Sequence, residues 1–178
     1  MKNPADKTRI IVLAAYVAIL FCSIPFIWHL EVFLRANTML MNTVGLVVAL
    51  YIVALTWKGL AYAGVSALNI ALIGLYNAGY LWMIVHSKGF DKKLHYVEYG
   101  ILTWLAFLAF RERFGDARSF LYSMLLVIGV GCLDEMVQYF VPGRSFDPGD
   151  MLSNVIAGAC MIAFLFLVRV LRRRSNAN

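Results

Sequence analysis

Apolar residues run along this chain in six blocks, at residues 10–28, 39–57, 60–85, 94–110, 119–140 and 148–171. Most approach the roughly 20 residues that a helix needs to cross a bilayer. None shows the strict alternation of a transmembrane barrel strand. In hydrocarbon every backbone polar group must be satisfied within its own segment, so the blocks predict helices. The expected fold is all-α: a polytopic transmembrane helical bundle of about six spans, built as one integral membrane domain over residues 1–178. Residues 1–85 would supply three spans and residues 86–171 the other three, with 172–178 as a basic and polar tail.

The breaks between blocks carry their own signals. The basic start before residue 10, followed by a long apolar run without an A-x-A-like cleavage site, reads as a retained signal anchor. Pro25 is expected to kink or close the first span. Residues 29–38 read as a loop or interfacial turn, with Asn37 or Thr38 capping the second span. Lys58-Gly59 reads as a tight turn. Tyr62, Ser66, Asn69, Ile73, Tyr76 and Tyr80 fall on one stripe of the third span at helical spacing, while Ala63, Gly74 and Gly79 would permit close helix approach. Asp91 is placed to cap the fourth span, residues 111–118 form a charged loop, and Asp147-Pro148 reads as an N-cap followed by proline at the first helical position.

Composition agrees with a membrane protein. The chain is 62% hydrophobic and 15% charged, whereas a soluble domain carries about a quarter charged residues. Its net charge of +6 does not indicate nucleic acid, because the basic residues sit at helix ends, where topology explains them. Six spans put both termini on one side. If that side is cytoplasm, it holds Lys2, Lys7, Arg9, Lys58, Arg111, Arg113, Arg118, Arg169 and the run Arg172 to Arg174. Arg35, Lys88, Lys92, Lys93 and Arg144 lie outside, which satisfies the positive-inside rule. The expected location is the bacterial cytoplasmic membrane. Cys22, Cys132 and Cys160 fall in apolar blocks without CxxC spacing and read as free, packed thiols. His29 and His86 read as interfacial residues.

This topology brings three segments distant in sequence to the outer face. They carry Asp91, His95 and Glu98; Asp134, Glu135 and Gln138; and Arg144, Asp147, Asp150 and Asn154. Spacings of three and four residues place members of each set on one helix face. Ionisable groups are costly near hydrocarbon, and a cluster of them marks a candidate site. In one reading the cluster is a structural network, with Asp134 or Glu135 pairing with Arg144. In the other it carries chemistry. His95 with Glu98, Glu135 or Asp150 could serve as general acid and base, His95 and Glu135 being the leading pair. Arg144 with Lys92 and Lys93, assisted by Gln138 and Asn154, could hold the phosphate of a lipid headgroup or lipid-linked sugar. The same His95 and acid set could instead hold a divalent metal, but no spaced metal motif such as HExxH is present, so neither metal nor cofactor is expected.

The run Asp91-Lys92-x-x-His95-x-x-x-Tyr99, then Glu135-x-x-Gln138, then Pro142-Gly143-Arg144-x-Phe146-x-x-x-Asp150-x-x-x-Asn154, resembles the VanZ-like family in order, spacing and helical context. The resemblance covers roughly residues 85–171 and departs at Ala157, where the family pattern leads to a glycine and this chain places it one residue later, at Gly158. The family's namesake is associated with resistance to the glycopeptide teicoplanin. The resemblance implies an envelope-related role, with His95, Glu135, Gln138, Arg144, Asp150 and Asn154 as the positions that matter and Tyr99 within the polar network. Two functions follow as expectations. The protein binds or acts on an anionic lipid or lipid-linked envelope component, or it is a non-catalytic accessory subunit of a larger membrane complex. Its expected partners are membrane lipid and other membrane subunits, not nucleic acid.

Overall fold

A computed structural model describes residues 4–87, 90–142 and 144–177. They form five helices: α1 (Pro4–Ala36), α2 (Thr38–Ala63), α3 (Ala67–His86), α4 (Phe90–Tyr139) and α5 (Pro148–Ser175). Each contains a stretch long and apolar enough to cross a membrane. Their outer surfaces carry large apolar side chains, among them Leu46, Leu50, Leu75, Leu125 and Phe166. Such a surface suits lipid better than water.

The 50-residue α4 is not straight. Gly115 has φ 73° and ψ 171°, a conformation open in practice to glycine alone. Across it, Phe107 stacks on Phe120 with ring centroids 4.8 Å apart. Farther out, the Tyr99 hydroxyl donates to Asp134 Oδ2 at 2.9 Å. A straight helix would hold those two residues roughly 50 Å apart at 1.5 Å per residue. Residues 90–114 and 116–139 therefore fold back on one another as a helical hairpin with Gly115 at its tip.

Contacts along the bundle sort its ends. Arg9 pairs with Glu112 at 3.2 Å, and Gly64 lies against Ser175. The start of α1, the α2–α3 turn, the hairpin tip and the end of α5 thus share one end. Farther along, the Tyr16 hydroxyl donates to the Glu98 carbonyl, and Lys93 Nζ donates to the Val85 carbonyl. The opposite end gathers the end of α3, both ends of α4 and the start of α5. α5 is the central helix, burying Asn154, Ala157, Gly158, Met161, Phe164 and Val168 along one side.

Several local expectations are corrected. Residues 29–38 are not a loop. α1 continues through Pro25 to Ala36, and only Asn37 breaks the helix, its side-chain amide donating back to the Phe33 carbonyl. Lys58-Gly59 is not a turn. α2 runs on to Ala63, and Gly59 instead brings α2 onto Phe164 and Val168 of α5. The actual turn is Gly64 to Ser66, with Gly64 at φ 90° and the Ser66 hydroxyl accepting from the Asn69 N–H. Tyr62 and Ser66 therefore do not belong to the α3 stripe, and Asn77 does, donating to Thr56 Oγ1 at 2.8 Å. Asn69 closes the turn by donating to the Ala63 and Gly64 carbonyls. Gly74 and Gly79 face open space, so the close approaches occur elsewhere, at Gly59, Gly100, Gly131 and Gly158. The charged segment 111–118 is helical apart from Gly115. The expected cap at Asp91 rests on a side chain outside the described residues. Asp147 caps α5 as its sequence indicates, accepting from the Gly149 N–H at 2.7 Å, with Pro148 opening the helix.

Candidate functional site

At the end of the bundle opposite the hairpin tip, polar side chains meet in an otherwise apolar protein. The first half of α4 delivers Lys92, His95, Glu98 and Tyr99. Lys92 and His95 stand three residues apart, and Glu98 and Tyr99 follow His95 by three and four, so all four lie toward one face. The second half delivers Asp134, Glu135 and Gln138 from its last turns. The segment after α4 delivers Arg144 and Asp147, and the first turns of α5 deliver Asp150 and Asn154. His95, Tyr99, Asp134, Glu135, Gln138, Asp150 and Asn154 are buried. Glu98, Arg144, Lys92 and Asp147 are partly exposed.

Two subsets are visible. In the outer one, Lys92 Nζ lies 3.3 Å from Asp147 Oδ2 and 3.1 Å from Asp150 Oδ1, tying α4 to the start of α5. The Asp147 N–H donates to Glu135 Oε2 at 3.0 Å, so the cap of α5 is also fixed to the end of α4. The Asp147 carboxyl is held below its ordinary value, first by the Gly149 N–H and then by Lys92.

In the inner subset, His95 Nδ1 stands 3.9 Å from Glu98 Oε2. Tyr99 holds Asp134, and Arg144 Nη2 donates to Gln138 Oε1 at 2.5 Å. His95, Glu98, Asp134, Gln138 and Arg144 line a cavity of about 10 Å³ together with Leu20, Ser23 and Ile24 of α1. That is about the room one water needs. His95, Asp134 and Glu135 also bring one ligand atom each within 4.8 Å of one another, a spacing that could hold a divalent cation. One oxygen of each carboxylate is already engaged, by Tyr99 and by the Asp147 N–H.

The structure thus places His95, Glu98, Asp134, Gln138 and Arg144 around one cavity and gathers Lys92, Glu135, Asp147 and Asp150 beside it. Tyr99, the Asp147 N–H and Gln138 make the hydrogen bonds to Asp134, Glu135 and Arg144 just described. Asn154 sits deeper, against Gly131 and with neither amide atom hydrogen-bonded, and so stands behind the cavity instead of lining it. Lys93 is used structurally, on the Val85 carbonyl. Sequence reasoning did not connect α1 to the site. Leu20, Ser23 and Ile24 carry no polar pattern that could have done so.

Carboxylates outnumber cations here. Among the described residues, Glu98, Asp134, Glu135, Asp147 and Asp150 gather here with two fixed cations, Lys92 and Arg144. The interior therefore favours protons or cations, while an anion is drawn only to the rim, where Arg144 stands.

Comparison with known proteins adds one match. A family model described as VanZ/LLP1 matches residues 10–170, which takes in α1 to α3 as well as the motif-bearing helices. Neither the comparison with curated proteins nor that with solved structures gave a match.

Proposed function

From the premise that this chain belongs to the VanZ/LLP1 family, we propose that its polar end binds, at the membrane edge, the phosphate of an anionic lipid or lipid-linked envelope component. One observation carries the reading. Arg144, partly exposed and oriented by Gln138, stands at the rim of a cavity whose interior holds His95 and Glu98. A guanidinium can grip a phosphate with two parallel hydrogen bonds. His95 and Glu135 would handle protons where a reaction follows, and the cavity would admit the single water such a step needs. Substrate bulk would remain outside, in the lipid.

We also propose six crossings, with both termini cytoplasmic and the polar end facing outward from a bacterial cytoplasmic membrane. The reversal at Gly115 supports counting α4 as two crossings. The gathering of Arg9, Lys58, Arg111, Arg169 and Arg172 toward the other end supports the orientation. Reporter fusions at the hairpin tip and at Phe146 should report opposite sides.

The test of function is lipid retention and turnover by the purified protein and its His95→Ala, Glu135→Gln and Arg144→Ala variants. Headgroup binding should fall in Arg144→Ala. His95→Ala and Glu135→Gln should keep binding and lose any turnover. Unchanged binding and turnover in all three would end the proposal.

A second reading has its own support. Lys92 on Asp147 and Asp150, and Glu135 on the Asp147 N–H, clamp α4 to α5. The polar end would then be a structural fastening in an accessory subunit of a larger membrane complex. Stoichiometric co-purification of other membrane proteins in mild detergent, with no lipid lost in Arg144→Ala, favours this reading.

A further inference from the structure

The end of the bundle around the hairpin tip carries a second cavity, of about 350 Å³, that the polar cluster does not touch. Its size falls within the range that small ligands use. α5 forms the floor with Met161, Phe164 and Val168. α2 forms one wall and the first half of α4 the other, and these walls meet where Tyr51 reaches Gly100 and Lys58 lies over Trp104. The walls are apolar and aromatic, Leu55, Ile101 and Leu108 among them. Exposed residues such as Ala54 lie on the lining, so the cavity is a cleft open at the lateral surface of the bundle instead of a sealed void.

The mouth of this cleft is basic. Lys58, Arg111 and Arg169 all line it. Arg169 is fixed in place: Nε donates to Asp116 Oδ2 at 3.1 Å, Nη1 donates to the Leu165 carbonyl at 3.0 Å, and the guanidinium lies 4.2 Å from the Phe107 ring centre. Arg111 approaches the other oxygen of the same carboxylate at 3.5 Å. One carboxylate therefore serves two guanidinium groups. Lys58 Nζ stands 4.7 Å from the Trp104 ring centre and has no acidic partner among the described residues. Arg172, over Tyr62 at 4.4 Å, adds a further cation nearby. Cations beside hydrocarbon require counter-charge. An apolar slot ending in excess positive charge has the chemistry of an amphiphile with a chain and an anionic head.

We infer that the cleft between α2 and the first half of α4 holds one anionic phospholipid, its acyl chain along α5 and its phosphate at Lys58 and Arg111. This site is separate from the Arg144 site, lies at the other end of the bundle and does not depend on the function proposed for that end. Charge complementarity selects the lipid, and the open side of the cleft lets it enter from the bilayer.

The test is native mass spectrometry of the full chain released from bilayers containing phosphatidylglycerol and phosphatidylcholine in equal amounts. The variants are Ala54→Trp, which fills the cleft from an exposed position, and Lys58→Glu, which reverses charge at its mouth. Thermal unfolding checks that both remain folded. The wild-type protein should retain phosphatidylglycerol over phosphatidylcholine. Ala54→Trp should lose the retained lipid, and Lys58→Glu should lower the preference for phosphatidylglycerol by about fivefold or more. Arg144→Ala should leave this retention in place. The inference is overturned if wild-type protein shows no preference, if folded Ala54→Trp retains lipid like the wild type, if Lys58→Glu leaves the preference unchanged, or if the lipid is lost in Arg144→Ala instead.

Discussion

Replacing Tyr99 by phenylalanine removes one hydroxyl from the contact that fastens the two halves of α4. That hydroxyl donates to Asp134 Oδ2 at 2.9 Å. Tyr99 is 1% exposed and Asp134 8% exposed, so water cannot readily replace the lost donor. Phenylalanine keeps the ring and its packing, which isolates the hydrogen bond. Losing the bond and leaving its buried acceptor unsatisfied costs about 1.5–3 kcal/mol. At about 2–4 °C per kcal/mol for a chain of this size, the melting temperature in mild detergent should fall by roughly 3–12 °C. Asp134→Asn should cost less, because the amide still offers an oxygen. Combining the two changes should show coupling of about 1 kcal/mol, as expected of groups in direct contact. A shift of less than about 1 °C in Tyr99→Phe, with no coupling, would refute the claim that this bond holds the hairpin closed.

Other predictions follow from the same geometry. Gly115→Ala forces a side chain into a backbone conformation suited to glycine and should cost about 1–3 kcal/mol, read as a lower melting temperature. Gly158→Ala places a methyl 3.0 Å from Val127 Cγ1 and 3.2 Å from Thr103 Oγ1, and the overpacking should destabilise by about 1–3 kcal/mol in the same assay. Asn154→Leu removes a buried amide with no hydrogen-bond partner and should keep or raise the melting temperature, while weakening headgroup binding if the amide serves the site. Asp147 has a depressed carboxyl, so its contribution is present at neutral pH and is lost as pH falls below its ordinary value of 3.8. Asp147→Asn should flatten that acid limb of a melting-temperature profile, and an unchanged limb would contradict the cap assignment.

The long-range pattern was legible because it depends on length and polarity. Apolar blocks in lipid must be helices, and Asp147-Pro148 is a start signal with a local mechanism that needs no tertiary context. The convergence of His95, Glu135, Arg144 and Asp150 was also accessible, since helices of similar length return their ends to common depths. The errors arose where one residue type serves two purposes. A glycine can turn the chain or admit a neighbour. Gly59 admits Phe164 and Val168, whereas the turn belongs to Gly64, and nothing local separates the two. Pro25 lacks a donor but does not end α1, because the loss of one hydrogen bond is smaller than the cost of opening a helix in an apolar setting. The part played by Leu20, Ser23 and Ile24 was not legible, because packing of α1 against α4 is fixed by tertiary contacts alone.

The measurement that bears most directly on the proposed function is headgroup binding at Arg144, made in the Ala54→Trp background so that the second cleft does not contribute. Retention of anionic lipid or lipid-linked phosphate would be compared among Arg144, Arg144→Lys and Arg144→Ala proteins of equal thermal stability. A bidentate grip predicts a loss of about tenfold or more in Arg144→Ala, with only partial recovery in Arg144→Lys. Equal retention in all three would contradict it and leave the polar end as a fastening between α4 and α5.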